Sequence, residues 1–180
     1  VEDSRLSCEG LRLLAQRSGA RLRRADSLAA ADRHLRAWRP GAAIVDLHLP
    51  DGSGLDLIAR LAAARPRLPA ILSTSGDPTM EGAALAAGAD GFLPKPVLSL
   101  AAFQAALLAL LPAGRPVPLS AGSVAPDDAA LRDDLALARS LLGRADRLAY
   151  VTGFLRGVAR SAGDAPLSRA VEEVAAAPSS

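Results

Sequence analysis

The stretch Ala43-Ile44-Val45-Asp46-Leu47-His48-Leu49-Pro50-Asp51-Gly52-Ser53-Gly54 decides how the rest of the chain is read. A short β-rich run stops on a carboxylate, a Gly-rich turn follows, and Leu55, Ile58 and Leu61 then recur at helical spacing. Strand, turn and helix follow one another, and the same alternation extends in both directions. Strands are predicted at Val1–Asp3, Arg21–Ala25, Ala43–Asp46, Ala70–Thr74 and Gly91–Leu93. Helical patterns fill the gaps: Leu28, Ala31, Leu35 and Trp38 after Ser27, and Leu100, Phe103, Leu107 and Leu110 before the stop at Pro112. Strands alternating with helices predict an α/β fold, a doubly wound parallel sheet of five strands and five helices. The first strand is truncated. Three residues stand where a central strand usually has about five or six, which points to a trimmed or mis-set start before Val1.

Composition bounds the classes available. The chain has 180 residues, half of them hydrophobic, 22% charged, with a net charge of +2, which suits one ordinary domain and an appendage. Its arginines are interspersed with acids rather than gathered into a basic stripe, so nucleic acid is not implied. Cys8 is the sole cysteine and lies in an apolar helical pattern, where it packs as a small hydrophobe and fits a reduced, cytoplasmic setting. No apolar run reaches membrane-spanning length without a charge or proline, so no membrane contact is expected.

The domain boundaries follow composition. Residues 1–112 form the α/β unit, residues 113–126 a Pro/Gly/Ser-rich linker, and residues 127–180 a helical extension. In that extension Leu131, Leu135, Ala138 and Leu142 make one stripe, and Leu148, Val151, Phe154, Leu155 and Val158 a second. Leu167, Ala170, Val171 and Val174 make a weaker third.

Ligands of doubly wound sheets bind beyond the carboxyl ends of the strands, where strand order reverses. Glu2, Asp3 and Asp46 all close strands, so three hard oxygen donors converge at one crevice, a set suited to magnesium. Thr74 closes the fourth strand and Lys95 follows the fifth. Lys95 is the only lysine in a chain that otherwise uses arginine. A compact ammonium and a planar guanidinium differ as point-charge partners of a phosphoryl group or carboxylate; the bland alternative is compositional chance.

Taken in order, Val1-Glu2-Asp3, the stretch around Asp46, Pro69-Ala70-Ile71-Leu72-Ser73-Thr74-Ser75 and Gly88-Ala89-Asp90-Gly91-Phe92-Leu93-Pro94-Lys95-Pro96 resemble the receiver domain of bacterial two-component response regulators. The resemblance covers roughly residues 1–112. It implies a flavodoxin-like sheet of strand order 2-1-3-4-5 and a phosphorylation-dependent signalling switch in a phosphorelay. Asp46 is then the phosphoacceptor. Magnesium is ligated by Asp3, Asp46 and the backbone carbonyl of His48, with Glu2 acting through a water. Thr74 and Lys95 bind the phosphoryl group, Phe92 is the switch aromatic, and Pro96 is the candidate for a cis peptide. Phosphorylation would bias the surface of the fourth helix, fifth strand and fifth helix toward a partner or self-association. The implied partners are a sensor histidine kinase or a histidine phosphotransfer protein.

Alternatives stand beside this reading. Phe92 can be plain core packing, and the His48 side chain either overhangs the phosphoryl group or, as favoured here, points to solvent. Gly76 should leave the pocket mouth open. A turnover enzyme is not expected. The rival readings are a magnesium-dependent phosphatase or phosphotransferase using the same aspartate, which would want a cap and a further acid–base residue, and a pseudo-receiver scaffold. The extension has no histidine to accept a phosphoryl group and no helix-turn-helix signature. It is either an extra helical layer on the domain or an element for homodimerisation or partner docking.

Overall fold

Strand β4 (Ala70–Ser75) is buried along its whole length, and the sheet is built outward from it. In the computed structural model, which describes residues 1–97, 99–110, 128–142 and 148–176, it pairs in parallel with two strands. β1 (Ala42–Asp46) lies on one side in the register Asp46 to Thr74. β5 (Gly91–Pro94) lies on the other, with Thr74 opposite Leu93. Asp46, Thr74 and Leu93 therefore form one row at the carboxyl edge.

Alternating side chains of β4 feed two cores, because successive residues of a strand point to opposite faces. Ile71 packs with Val45 and with Leu57, Ile58 and Ala84, residues of α3 (Gly54–Ala63) and α4 (Glu81–Ala86). Leu72 packs on the opposite face with Leu14 of α1 (Arg5–Arg17) and Phe103 of α5 (Leu100–Leu108). α2 (Leu28–Ala37) closes the first face through Ala30 and Ala31. Both faces of the sheet are thus covered, as parallel strands require.

Local signals set the helix starts. Ser4 Oγ accepts the Ser7 N–H at 3.0 Å and Ser27 Oγ accepts the Ala30 N–H at 3.2 Å. Between β1 and α3 a short antiparallel hairpin, β2 (His48–Leu49) with β3 (Gly52–Ser53), turns the chain. α3 then starts at Gly54, where a Cβ would stand 2.0 Å from the Asp46 carbonyl oxygen. Only glycine lets the chain pass that close behind the strand end.

The five-strand count is corrected. Three strands form the parallel sheet and two more form the hairpin, while Val1–Asp3 and Arg21–Ala25 are not strands. Their spatial order is nonetheless the predicted one: Glu2 N–H donates to the Ala25 carbonyl at 2.8 Å, and Asp46 N–H donates to the Val1 carbonyl at 2.9 Å. Glu2 and Ala25 share a single backbone bond and Ser4 already caps α1, so no ladder develops between these two segments among the described residues.

The C-terminal segment consists of α6 (Asp128–Leu141), α7 (Leu148–Ala162) and α8 (Ala165–Ala176). α6 and α7 share their own core, with Ala138, Val151, Phe154 and Val158 at its centre. The predicted α6 stripe is shifted: Leu135 and Leu142 are exposed, and Asp134 is buried instead. The linker placed at 113–126 lies outside the described residues. No described helix is long and apolar enough to cross a membrane.

Candidate functional site

The hydrogen bond from Asp46 N–H to the Val1 carbonyl brings the first residues against the end of β1. In consequence Glu2, Asp3 and Asp46, all buried, each place a carboxylate oxygen within 4.8 Å of the others. Lys95 reaches the same point from the residue after β5, its N–H held by the Ser75 carbonyl at 2.9 Å. Its Nζ lies 2.7 Å from Asp46 Oδ2 and 2.8 Å from Glu2 Oε2. Asp46 Oδ1 accepts the His48 N–H at 3.1 Å, and Glu2 Oε1 accepts the Ser4 N–H at 3.1 Å. The Lys95–Pro96 peptide is cis, as the resemblance implies for Pro96.

The charge balance of this cluster is strained toward the negative. Burial pushes the Glu2 carboxyl well above its ordinary range, against the pull of Lys95. Burial likewise raises Asp3 to about 6, with the Tyr150 hydrogen bond opposing and Asp46 adding to the rise. For Lys95 burial acts downward, but Asp46 and Glu2 outweigh it and hold the ammonium firmly protonated. One ammonium thus serves two of three carboxylates. Asp3 Oδ1 is buried with no hydrogen-bond partner among the described residues. An orphaned buried oxygen beside two further carboxylates suits a hard divalent cation, and the residues present fit magnesium.

Thr74 neighbours Asp46 in the ladder, yet its hydroxyl donates to the Leu93 carbonyl at 2.8 Å and is turned along the sheet toward β5. Phe92 is half-buried and packs against the core that contains Ile71. The structure therefore brings together Glu2, Asp3, Asp46 and Lys95, with His48 adjacent, and holds Thr74 and Phe92 one layer back.

Two expectations about the pocket mouth are overturned. His48 does not point to solvent: it is half-buried under α7, where a Cβ on Gly153 would come 2.8 Å from its ring. Gly76 does not leave the mouth open, since a Cβ there would meet the Gly157 backbone at 3.0 Å. A Cβ on Gly157 would itself stand 3.5 Å from Lys95 Nζ. The cap that the sequence did not announce is present. Tyr150, also on α7, donates its hydroxyl to Asp3 Oδ2.

α6 anchors the same assembly. Asp134 accepts from Ser4 Oγ at 2.7 Å, from Arg5 N–H at 2.9 Å and from Leu6 N–H at 3.2 Å. The Arg5 and Leu6 N–H groups are free donors at the start of α1, and a carboxylate is favoured there. The usable signal for the cap was Gly153-x-x-x-Gly157: mid-helix glycine costs ~1 kcal/mol relative to alanine, and two at this spacing share one face. Such a pair demands a close neighbour.

Comparisons with known proteins agree with this geometry. A family model described as the response regulator receiver domain matches residues 1–107. The transcriptional regulatory protein BasR of Escherichia coli K12 is 36% identical over 112 residues, covering 62% of this chain and 50% of BasR. The chain therefore spans about half the length of that curated relative. Among solved structures, a CheY-like response regulator receiver domain from Methylobacillus flagellatus is similar with a TM-score of 0.54 and 26% identity, over 61% of this chain and 92% of that one. The receiver domain of the sensor histidine kinase PA1611 from Pseudomonas aeruginosa, described with magnesium coordinated in its active-site cleft, shares the fold at a TM-score of 0.55 and 23% identity, over 61% and 92% of the two chains.

Proposed function

The chain belongs to the response regulator receiver domain family, and from that premise we propose that it is a phosphorylation-dependent switch of a two-component phosphorelay, with Asp46 as its phosphoacceptor. The observation that carries the reading is Lys95 Nζ at 2.7 Å from Asp46 Oδ2 inside a buried cluster of three carboxylates. A buried carboxylate held by a single ammonium is oriented for reaction and has lost its water. The donor is a phosphohistidine on a sensor histidine kinase or a histidine phosphotransfer protein, and the setting is cytoplasmic.

An Asp46 oxygen attacks phosphorus as the P–N bond breaks, and the imidazole leaves with the electron pair, protonated at its other nitrogen. Lys95 keeps Asp46 in place beforehand and pairs with a phosphoryl oxygen afterwards. Asp3, Asp46 and the backbone carbonyl of His48 would hold Mg2+, with Glu2 acting through a water, and the bound ion supplies the positive charge that offsets carboxylate and phosphoryl. Thr74 then gives up the Leu93 carbonyl and turns its hydroxyl to the phosphoryl group. That movement opens room for Phe92 and alters the surface of α4, β5 and α5, through which partner choice or self-association changes.

Incubation with Mg2+ and phosphoramidate, followed by intact mass measurement, tests this. One phosphoryl adduct is expected on the wild type and none on Asp46→Asn; an adduct that persists in the variant removes Asp46 from the role. The same experiment addresses the rival, since α7 supplies the cap that an aspartate-nucleophile phosphatase would need. Its hydroxyl at the site, Tyr150, is bonded to Asp3 rather than placed beside Asp46 as an acid–base group. Sustained turnover of a phosphoester, instead of one adduct per chain, would favour that rival.

A further inference from the structure

We propose that α6 and α7 are an autoinhibitory cap on the phosphoacceptor pocket, and that the cap must lift before Asp46 can react with a phosphodonor. The proposal rests on Asp46 being the phosphoacceptor and adds a control on its access.

Closure is nearly complete. Asp46 is 5% exposed and Lys95 6%, although phosphoryl transfer needs attacking and leaving atoms in line across the phosphorus. The approach is filled by α7 backbone. Gly153 lies against the His48 ring, and Gly157 lies against both Gly76 and the end of Lys95. Glycines at these positions let the helix settle closer than any side chain would allow. Tyr150 completes the seal through its bond to Asp3, one of the three clustered carboxylates.

The cap is also built to move as a unit. Ala138, Val151, Phe154 and Val158 form a core separate from the two that flank the sheet. α8 packs along α7, with Arg156 bonded to Glu172 twice at 2.7 Å. The polar links between the cap and the receiver are few: Tyr150 to Asp3, Asp134 to the start of α1, and the exposed Arg5–Asp133 pair. Exposed ion pairs contribute little. Lifting the cap therefore breaks a handful of hydrogen bonds and the glycine contacts while separating no member of the three cores from its own cluster, a rigid-body transition between two packed states.

A phosphoryl group on Asp46 would need the space that Gly157 and Lys95 now share. Closure and phosphorylation thus exclude one another, and by linkage each shifts the other's equilibrium. Whatever draws the cap away raises reactivity, and phosphorylation in turn holds the cap open.

The test uses the full chain with Mg2+ and phosphoramidate, reading the rate of adduct formation by intact mass. Gly153→Leu drives a side chain into His48 and should speed the reaction about tenfold or more; Tyr150→Phe removes one bond and should speed it severalfold. Hydrogen exchange across residues 148–162 should rise when the wild type is phosphorylated, which decides the matter if Gly153→Leu folds poorly. Equal rates in wild type and Tyr150→Phe with unchanged exchange would overturn the cap while leaving Asp46 as phosphoacceptor. No adduct in any of the proteins would overturn the phosphoacceptor reading, and the cap with it.

Discussion

The carboxylate pocket around Asp46 and the helices that cover it are held by different physics. In the pocket, Lys95 is shared by Asp46 and Glu2 while Asp3 keeps one oxygen unpaired among the described residues, so each charge depends on the others. The α6–α7 pair depends on an apolar core of its own and touches the receiver through a few hydrogen bonds and three glycines. The difference teaches where rigidity and switching reside. A buried charge cluster resists the loss of its one ammonium, whereas a closely seated interface between units that each keep their own core can open without unfolding either.

Removing the pocket's cation should break that contrast most severely. Lys95→Met strands two buried carboxylates and should destabilise the receiver by ~3–5 kcal/mol, read from urea denaturation. A loss no greater than that of a surface substitution would mean the cluster is more hydrated than its burial indicates. Lys95→Arg keeps the charge and tests its shape: the fold should survive while phosphorylation-dependent changes weaken, because the guanidinium is larger and planar.

At the interface the effect should be smaller. Asp134→Ala leaves the Arg5 and Leu6 N–H groups without their acceptor and should cost ~1–3 kcal/mol, with hydrogen exchange rising at the start of α1 and along α6. Exchange confined to α6 would show that the start of α1 does not depend on the cap.

Glu2→Gln returns to the pocket with an opposite sign. Without Mg2+ it removes a like charge beside Asp46 and Asp3, so the melting temperature should hold or rise; the gain on adding Mg2+ should shrink relative to wild type. A fall without Mg2+ would show that the Glu2 pairing with Lys95 outweighs carboxylate repulsion. The smallest effect belongs to the outer face of the cap. Leu135 is exposed, and Leu135→Gln should change stability by no more than about 0.5 kcal/mol. A larger loss that grows with protein concentration would mark that face as a contact between copies.

How much of this was legible in the sequence follows the same division. The placement of Asp46 and Lys95 could be read because one ends a strand and the other follows one; Glu2 and Asp3 reach the same edge on a segment that lies along β1 without being a strand. Thr74 was placed in the right row, but its hydroxyl's bond to Leu93 is a choice between two acceptors that no spacing encodes. The first two predicted strands failed at the level of pairing: Glu2 makes a single backbone bond to Ala25, and Val1 bonds β1 at Ile44 and Asp46, which keeps the order and loses the ladder. His48 and Gly76 were misread because what covers them comes from the far end of the chain. Gly153 and Gly157 carry that information as an unexplained cost within α7, and no spacing in the sequence sets Asp134 apart from Asp127, Asp128 and Asp133. Docking of one unit on another depends on surface shape, which periodicity does not report.

The central claim is that Asp46 takes the phosphoryl group. Wild-type protein treated with Mg2+ and phosphoramidate, trapped by borohydride reduction of the acyl phosphate and mapped by peptide mass, tests it most directly. The account predicts homoserine at position 46 alone and no reduced residue in Asp46→Asn. Reduction at Glu2, Asp3 or any residue outside the cluster, or its survival in Asp46→Asn, would contradict it.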